Sequence, residues 1–372
     1  MRHRWFVLVM GTAAACGGEA ETSPPGSGVD ESEDLRPAWV EELRIGSVER
    51  PGPTTFGSIA DIEIDASGRI YVLDGDAAEI RLFGSDGRHI RTVGGEGEGP
   101  GEFRSPSELF WSPEGDLWVA DPVNVRFSVY SPELELLDTR VWQASVISSI
   151  WRGGFGSDGR IRELGGRALA ILGDDLAPIR SVRFPTLDVP TFSLVAETQE
   201  GMAVGISRRV PFMPSILVTM DSRGDPWFAS SDEYAIFGLN TDGDTVRIVR
   251  RDGVEPLPVT PRDIEIAEEE LAPLGARGAE IDLSLLPEVK PLLRSFTVAD
   301  DGSLWVRVVT EADVEGHRYD LFDASGRFRG RLDTPYPLSR LKIRGERIHA
   351  VAFDAFDVPH VVRARIEWVG NE

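Results

Sequence analysis

The stretch IADIEIDASGRIYVLDGDAAEIRLFGSDGRHIRTVG, Ile59 to Gly94, decides the fold. It reads as two successive hairpins: short runs rich in β-branched and aromatic residues, joined by tight turns around Gly68 and Gly87. Glycine is needed there because such turns require the left-handed backbone region, where a Cβ is strained. The product is a four-stranded antiparallel meander.

The same unit recurs. SELFWSPEGDLWVAD (107 to 121), ILVTMDSRGDPWFAS (216 to 230) and SFTVADDGSLWVRVV (295 to 309) each repeat the first hairpin, with Gly115, Gly224 and Gly302 in the turns. EYAIFGLNTDGDTVRIVR and HRYDLFDASGRFRGRL repeat the second. The first turn glycine precedes the second by 19 residues at Gly68 and Gly87, and again by 19 at Gly224 and Gly243, which chance does not produce. Four-stranded units of this length build a β-propeller, because one meander leaves both sheet faces bare until neighbours pack on them.

Six blades are expected, at 59 to 94, 106 to 143, near 147 to 185, 215 to 252, 294 to 333 and 338 to 369. The third lacks the aromatic strand signature. The last supplies only three strands before the chain stops, while WVEELRIGSVE (39 to 49) is a strand without a hairpin partner. The N-terminal strand is therefore expected to complete the last blade and hide its edge. The fold class is all-β, a six-bladed propeller of four-stranded antiparallel blades.

GRIYVLD, the following IRLFGSDGRHIRTVGGEGEGPGEFRSP, and GDLWVAD with its successor hairpin resemble six-bladed propellers of NHL-repeat type, in particular bacterial secreted or lipidated members. The resemblance is close from Ile45 to Arg140 and rests on blade pattern alone beyond it. It implies the fold strongly and the function weakly, since related propellers include lyases, lactonase-like hydrolases and pure binding scaffolds.

The 372 residues carry 62 acids against 39 bases, a net charge of -23, and nearly every cation is arginine, lysine occurring only at Lys290 and Lys342. Nucleic acid is excluded as a partner because no basic stripe offers itself to phosphates, and an anionic membrane surface is disfavoured on the same ground. The opening MRHRWFVLVMGTAAACGG has the layout of a secretory signal: Arg2 and Arg4, a short apolar run, then small residues. Cys16, the single cysteine, stands where a lipoprotein signal places the residue that is acylated. Residues 1 to 15 are thus expected to be removed, and residues 16 to 36, rich in Gly, Pro, Ser and acids, to form a disordered acidic tether. The expected address is the cell envelope. Gly17 after the cysteine suggests the outer membrane, with the propeller (37 to 372) a monomer that meets the membrane only through its lipid.

The turns inside hairpins are uniformly short, whereas the loops between hairpins and between blades carry the elaboration, so any loop-borne function belongs to that second face. It holds GGEGEGPGEF (94 to 103), the 186 to 214 connector, the insertion 252 to 290 and the loop 311 to 317. Within the insertion, TPRDIEIAEEELAPL predicts a helix capped by Thr260, with Pro261 first, Asp263 three after the cap, and Ile264, Ala267 and Leu271 on one side. Candidate binding residues on this face are Glu96, Glu98, Glu102, Trp151, Arg152, Arg208, Arg209 and His317.

GGEGEGPG lacks the spacing of a dinucleotide fingerprint and of a phosphate-binding loop. No cofactor is expected. Calcium alone suits Glu96, Glu98 and Glu102 chemically, but their spacing matches no known calcium loop. The histidines form no metal-binding motif, and no nucleophile elbow occurs. The reading this supports is an extracytoplasmic, lipid-anchored propeller that binds a protein, peptide or glycan without catalysis. The alternative is a hydrolase or lyase acting on an ester, lactone or small molecule through carboxylates at the channel mouth, with Asp74, Asp76 and Asp121 as candidates.

Overall fold

The computed structural model describes residues 35–47, 52–142, 151–165, 167–197, 203–312 and 314–370. The signal, Cys16 and most of the tether lie outside the described residues. Among them the chain forms six four-stranded antiparallel sheets, a separate hairpin and one α-helix.

Strand β1 (Leu35–Ile45) comes first among the described residues. Blade 1 follows as β2 (Ile59–Ile64), β3 (Ile70–Asp74), β4 (Glu79–Phe83) and β5 (His89–Gly94), and blade 2 as β6 (Glu108–Trp111), β7 (Leu117–Asp121), β8 (Arg126–Tyr130) and β9 (Leu136–Val141). Blade 3 comprises β10 (Gly153–Phe155), β11 (Ile161–Leu164), β12 (Ala168–Leu172) and β13 (Pro178–Arg183). The 186 to 214 connector holds the hairpin β14 (Thr191–Glu197) and β15 (Ala203–Arg209), which pairs with no blade. Blade 4 is β16 (Ile216–Met220), β17 (Pro226–Ser230), β18 (Ala235–Leu239) and β19 (Thr245–Arg250). Helix α1 (Pro261–Ala276) precedes blade 5, which is β20 (Leu293–Val298), β21 (Leu304–Val308), β22 (Arg318–Phe322) and β23 (Phe328–Asp333). Blade 6 takes β24 (Leu338–Arg344), β25 (Arg347–Phe353) and β26 (Pro359–Gly370).

The turns follow local chemistry. Asp65 Oδ1 accepts from the Ser67 and Arg69 N–H groups, each at 2.9 Å, and Asp221 does the same for Arg223 and Asp225 at 2.9 and 3.0 Å. The next residue but two is glycine in each case, with φ of 82° at Gly68 and 77° at Gly224. An aspartate that saturates the turn amides and a glycine that takes the left-handed position together close the hairpin.

Blades bury their faces against one another. Tyr71, Leu73 and Leu82 of blade 1 pack with Leu109, Leu117 and Val119 of blade 2, and Ala229, Ile236 and Val249 of blade 4 with Leu304, Val306 and Phe322 of blade 5. Phe103, fully buried, sits in the first of these cores and anchors the glycine-rich connector between the two blades. Gly94 makes that crossing feasible: its φ is 111°, and a Cβ would stand 2.6 Å from the Ala78 carbonyl oxygen.

The ring closes as expected, with one correction. β1 pairs antiparallel with β26 from Leu35↔Gly370 to Ile45↔Val361, so the closing strand runs 35 to 45 rather than 39 to 49 and begins inside the segment read as tether. Residues 48 to 51 lie outside the described residues. Helix α1 starts as its sequence dictates, with Thr260 as cap in a capping box with Asp263 and Pro261 in the first turn.

Removing residues 35 to 45 should leave β26 as a bare edge and expose Ile45 partners in blades 1 and 6. The expected outcome is a chain that no longer melts in one cooperative step, checked by circular dichroism against the chain that keeps them.

Candidate functional site

Ring closure turns part of each first strand toward the axial channel. On β2, Ile62 joins the apolar core shared with Val351 and Val361 of blade 6, so its neighbours Asp61 and Glu63 point the other way. Asp61 Oδ2 accepts the Leu109 N–H of blade 2 at 2.9 Å. Lys342 Nζ of blade 6 lies 2.8 Å from Glu63 Oε1 and 3.6 Å from Asp61 Oδ2, and Arg344 donates to Glu63 Oε2 at 2.8 Å. Arg340 Nη1 of blade 6 approaches Glu108 Oε2 of blade 2 at 3.7 Å. That contact skips blade 1, so the cluster spans the channel.

Arg340 reaches this position through a local distortion. The β24–β25 register shifts between Ser339 and Lys342, and Arg340 has φ 49°, a costly value for a residue with a Cβ. Bulges commonly re-aim a side chain, and this one turns a guanidinium into the lumen.

The charges of the cluster are unequal. Burial, reinforced by Asp61, pushes the Glu108 carboxyl up to about 8, which favours its protonated form. Its Oε2 is buried without a hydrogen-bond partner among the described residues. Burial also raises Asp61, more than Lys342 and Arg340 lower it. Burial opposes the Lys342 ammonium, but Asp61, Glu63 and Glu108 outweigh it and hold its pKa above the ordinary value. The cluster therefore sets a carboxyl whose protonated form burial favours near a lysine whose charge works against that form.

None of Asp61, Glu63 and Glu108 was singled out from the sequence, and the carboxylates that were lie elsewhere. Asp74 is wholly buried, accepts from the Gly57, Ser58 and Ala77 N–H groups at 3.3, 3.4 and 3.2 Å, and pairs with Arg81 at 3.1 Å. Asp121, also wholly buried, accepts from Arg104 and Ser105 N–H groups at 3.1 and 3.0 Å and from Asn124 at 2.7 Å. Both staple blade connectors, and their lone pairs are spent there. Asp76 is exposed beside Gly57.

The loop residues also separate. Glu98 pairs with Arg104 at 3.0 Å and Glu102 accepts the Gly99 N–H at 2.8 Å, while Arg126 clasps the carbonyls of Glu98, Gly99 and Glu102. Glu96 bridges to Phe103. Trp151 is a core residue rather than a contact residue, buried and stacked on Phe110 at 5.0 Å. Its neighbour Arg152 is exposed, and its charge acts to lower the Glu108 carboxyl. Arg208 and Arg209 are exposed on the β14–β15 hairpin, donating to the Glu270 and Pro214 carbonyls at 3.4 and 2.6 Å. His317 is buried in the wall of a separate cavity beside α1. Among the described residues, no group of three or more His, Cys, Asp or Glu side chains is arranged to hold a metal ion.

A family model described as 6-bladed beta-propeller matches residues 52–139. This chain is a six-bladed β-propeller. The propeller is similar to NHL repeat-containing protein 3 of Mus musculus, 29% identical over 84 residues, which are 22% of this chain and 24% of that protein. The chain thus spans about a quarter of the curated relative's length. Among solved structures, a putative exported protein from Bacteroides fragilis has a TM-score of 0.49 at 13% identity, covering 90% of this chain and 95% of that one. Virginiamycin B lyase from Staphylococcus aureus has a TM-score of 0.46 at 12% identity, covering 87% and 98%. At these levels neither likeness assigns an activity to the propeller.

Glu108 gives the propeller a distinctive pH response. Its ordinary pKa of 4.5 applies once the chain unfolds, so the stability it contributes is complete below that value and is lost as pH rises through about 8. Between about pH 5 and about pH 9, wild type should lose on the order of 2–4 kcal/mol relative to Glu108→Gln, which carries no titrating group there. Urea unfolding of both proteins across that range checks it.

Proposed function

We propose that this propeller is an extracytoplasmic binding protein, lipid-anchored through Cys16, which takes a protein, peptide or glycan on its loop-rich face without chemical turnover. The observation that carries this reading is the structure built on that face. The β14–β15 hairpin and α1 share a small core of their own, in which Phe192, Leu194 and Val210 pack against Leu271, Leu274 and Ala279. Both belong to connections between blades, which emerge on the same side of the ring, while the turns within hairpins on the opposite side stay minimal. A buried core under two inserted elements makes a firm platform, and exposed Arg208 and Arg209 lie on it.

The anchor is supported by the position of Cys16 after a short apolar run and small residues, and the envelope address rests on the same segment. A monomer in which the lipid alone meets the membrane is the arrangement that suits a net charge of -23.

A second reading is favoured by one observation, the Glu108 carboxyl in the channel, whose protonated form burial favours. In a hydrolase or lyase of an ester, lactone or small molecule, Glu108 would donate the proton and Lys342 would steady developing negative charge. This moves the alternative from Asp74 and Asp121, whose oxygens are occupied, to the channel axis.

Two experiments separate these readings. Metabolic labelling with radioactive palmitate should mark the expressed protein and leave Cys16→Ser unlabelled; equal labelling of both would remove the anchor. The purified mature protein, probed on peptide and glycan arrays, should bind a restricted set, at least about tenfold more weakly in the Arg208→Glu, Arg209→Glu double variant. Ester or lactone turnover that disappears in Glu108→Gln would instead install the second reading.

A further inference from the structure

The cavity beside α1 has a volume of about 160 Å³ and opens on the loop-rich face. It is lined by four cationic side chains, Lys290, Arg294, Arg307 and Arg318, together with His317. Two of these charges are already spent. Lys290 is buried against Asp263 at 2.7 Å and donates to the Thr310 carbonyl at 3.2 Å, while Arg318 pairs with Asp333 at 2.7 Å. Arg294 and Arg307 have no carboxylate within ion-pair distance among the described residues. Arg294 is exposed and Arg307 half-buried, so both guanidiniums remain available to an anion that enters the cavity.

The cavity wall is closely packed at Gly316. Gly316, with φ 76°, presses so closely on Thr334 that a Cβ would stand 1.9 Å from its carbonyl oxygen. This fixes His317, whose N–H takes Thr334 Oγ1 at 2.9 Å and whose Nδ1 accepts the Leu338 N–H at 3.1 Å. A ring nitrogen that accepts from a backbone amide bears no proton, so the proton of the neutral ring sits on Nε2 and is available as a donor. Burial first, then the charges of Arg307 and Arg294, hold His317 down to about 3, which keeps the ring neutral at physiological pH. Phe212, Pro291 and Val308 complete the lining with apolar surface.

We propose that this cavity is a carboxylate-binding subsite, in which Arg294 and Arg307 hold the carboxylate and the apolar wall takes a short aliphatic stem such as that of a peptide glutamate. Planar guanidinium forks suit a carboxylate in two-point contact. The cavity has room for an acidic side chain. This rests on the reading of the loop-rich face as the binding face and names the chemical group it takes.

The test is calorimetric titration of the purified mature protein at low ionic strength with glutarate, glucuronate and inorganic phosphate. Glutarate should bind one to one, at least about tenfold more weakly in Arg294→Gln and in Arg307→Gln. Both variants should melt no lower than wild type without anion, because each relieves a like-charge contact. Absence of glutarate binding to wild type, binding unchanged in the variants, or tighter binding of phosphate or glucuronate each overturns the proposal. So does a variant that unfolds, since the guanidiniums would then serve the fold. Array binding that needs Arg208 and Arg209 but survives Arg294→Gln and Arg307→Gln removes this subsite and leaves the binding face standing.

Discussion

Closure of the ring is the constraint on which the rest depends. A four-stranded blade presents apolar side chains on both faces, so no blade can be stable until it has a neighbour on each side. The first and last parts of the chain must therefore meet, and they do so through ten paired positions of β1 and β26. Such pairing removes the one edge a linear stack of blades would leave open, and it draws β24 beside β2.

Polar ties then fix the spacing between blades where apolar packing alone would let them slide. Asp61 joins blade 1 to blade 2, and Glu63 joins blade 1 to blade 6. Asp320 of blade 5, wholly buried, takes the Tyr234 hydroxyl of blade 4 at 2.7 Å and Arg331 at 2.8 Å, with Arg251 also paired to it. A buried carboxylate is costly unless fully satisfied, which makes each such contact selective for one arrangement of the blades. The two lysines of the chain follow the same logic: Lys290 tethers α1 through Asp263, and Lys342 sits among the channel acids.

Much of this architecture was legible in the residues themselves. The turn glycines at equal spacing, the aspartates ahead of them and the aromatic strands identify blades 1, 2, 4 and 5 because turn and strand chemistry acts within a few residues. Thr260, Pro261 and Asp263 announced α1 for the same reason. Blade 3 was harder: its strands are short and lack the aromatic signature, and the following hairpin looked equally strand-like until its packing against α1 set it apart. The candidate site was the least legible. Asp61 and Glu63 alternate with Ile62 and Ile64, a pattern that an ordinary half-exposed strand shows just as well. Asp74 and Asp121 were catalytic candidates only on the alternative reading; the backbone amides that occupy them, apart from that of Ala77, come from 16 or 17 residues away.

By itself, then, the sequence determined what is local: hairpin turns, strand alternation, the helix cap, the number of blades and the need for an N-terminal strand to complete the last. Only the tertiary structure decided which charges meet. Lys342 and Glu63 stand 279 residues apart in the chain, and Arg340 finds Glu108 only because blade 6 curves back past blade 1. Arg294 and Arg307 became neighbours without a counter-charge only when β20 paired with β21 and the Gly316 loop folded onto Thr334. Their chemistry belongs to the closed ring because Coulomb interactions act through space, over a few ångströms that no reading along the chain can measure.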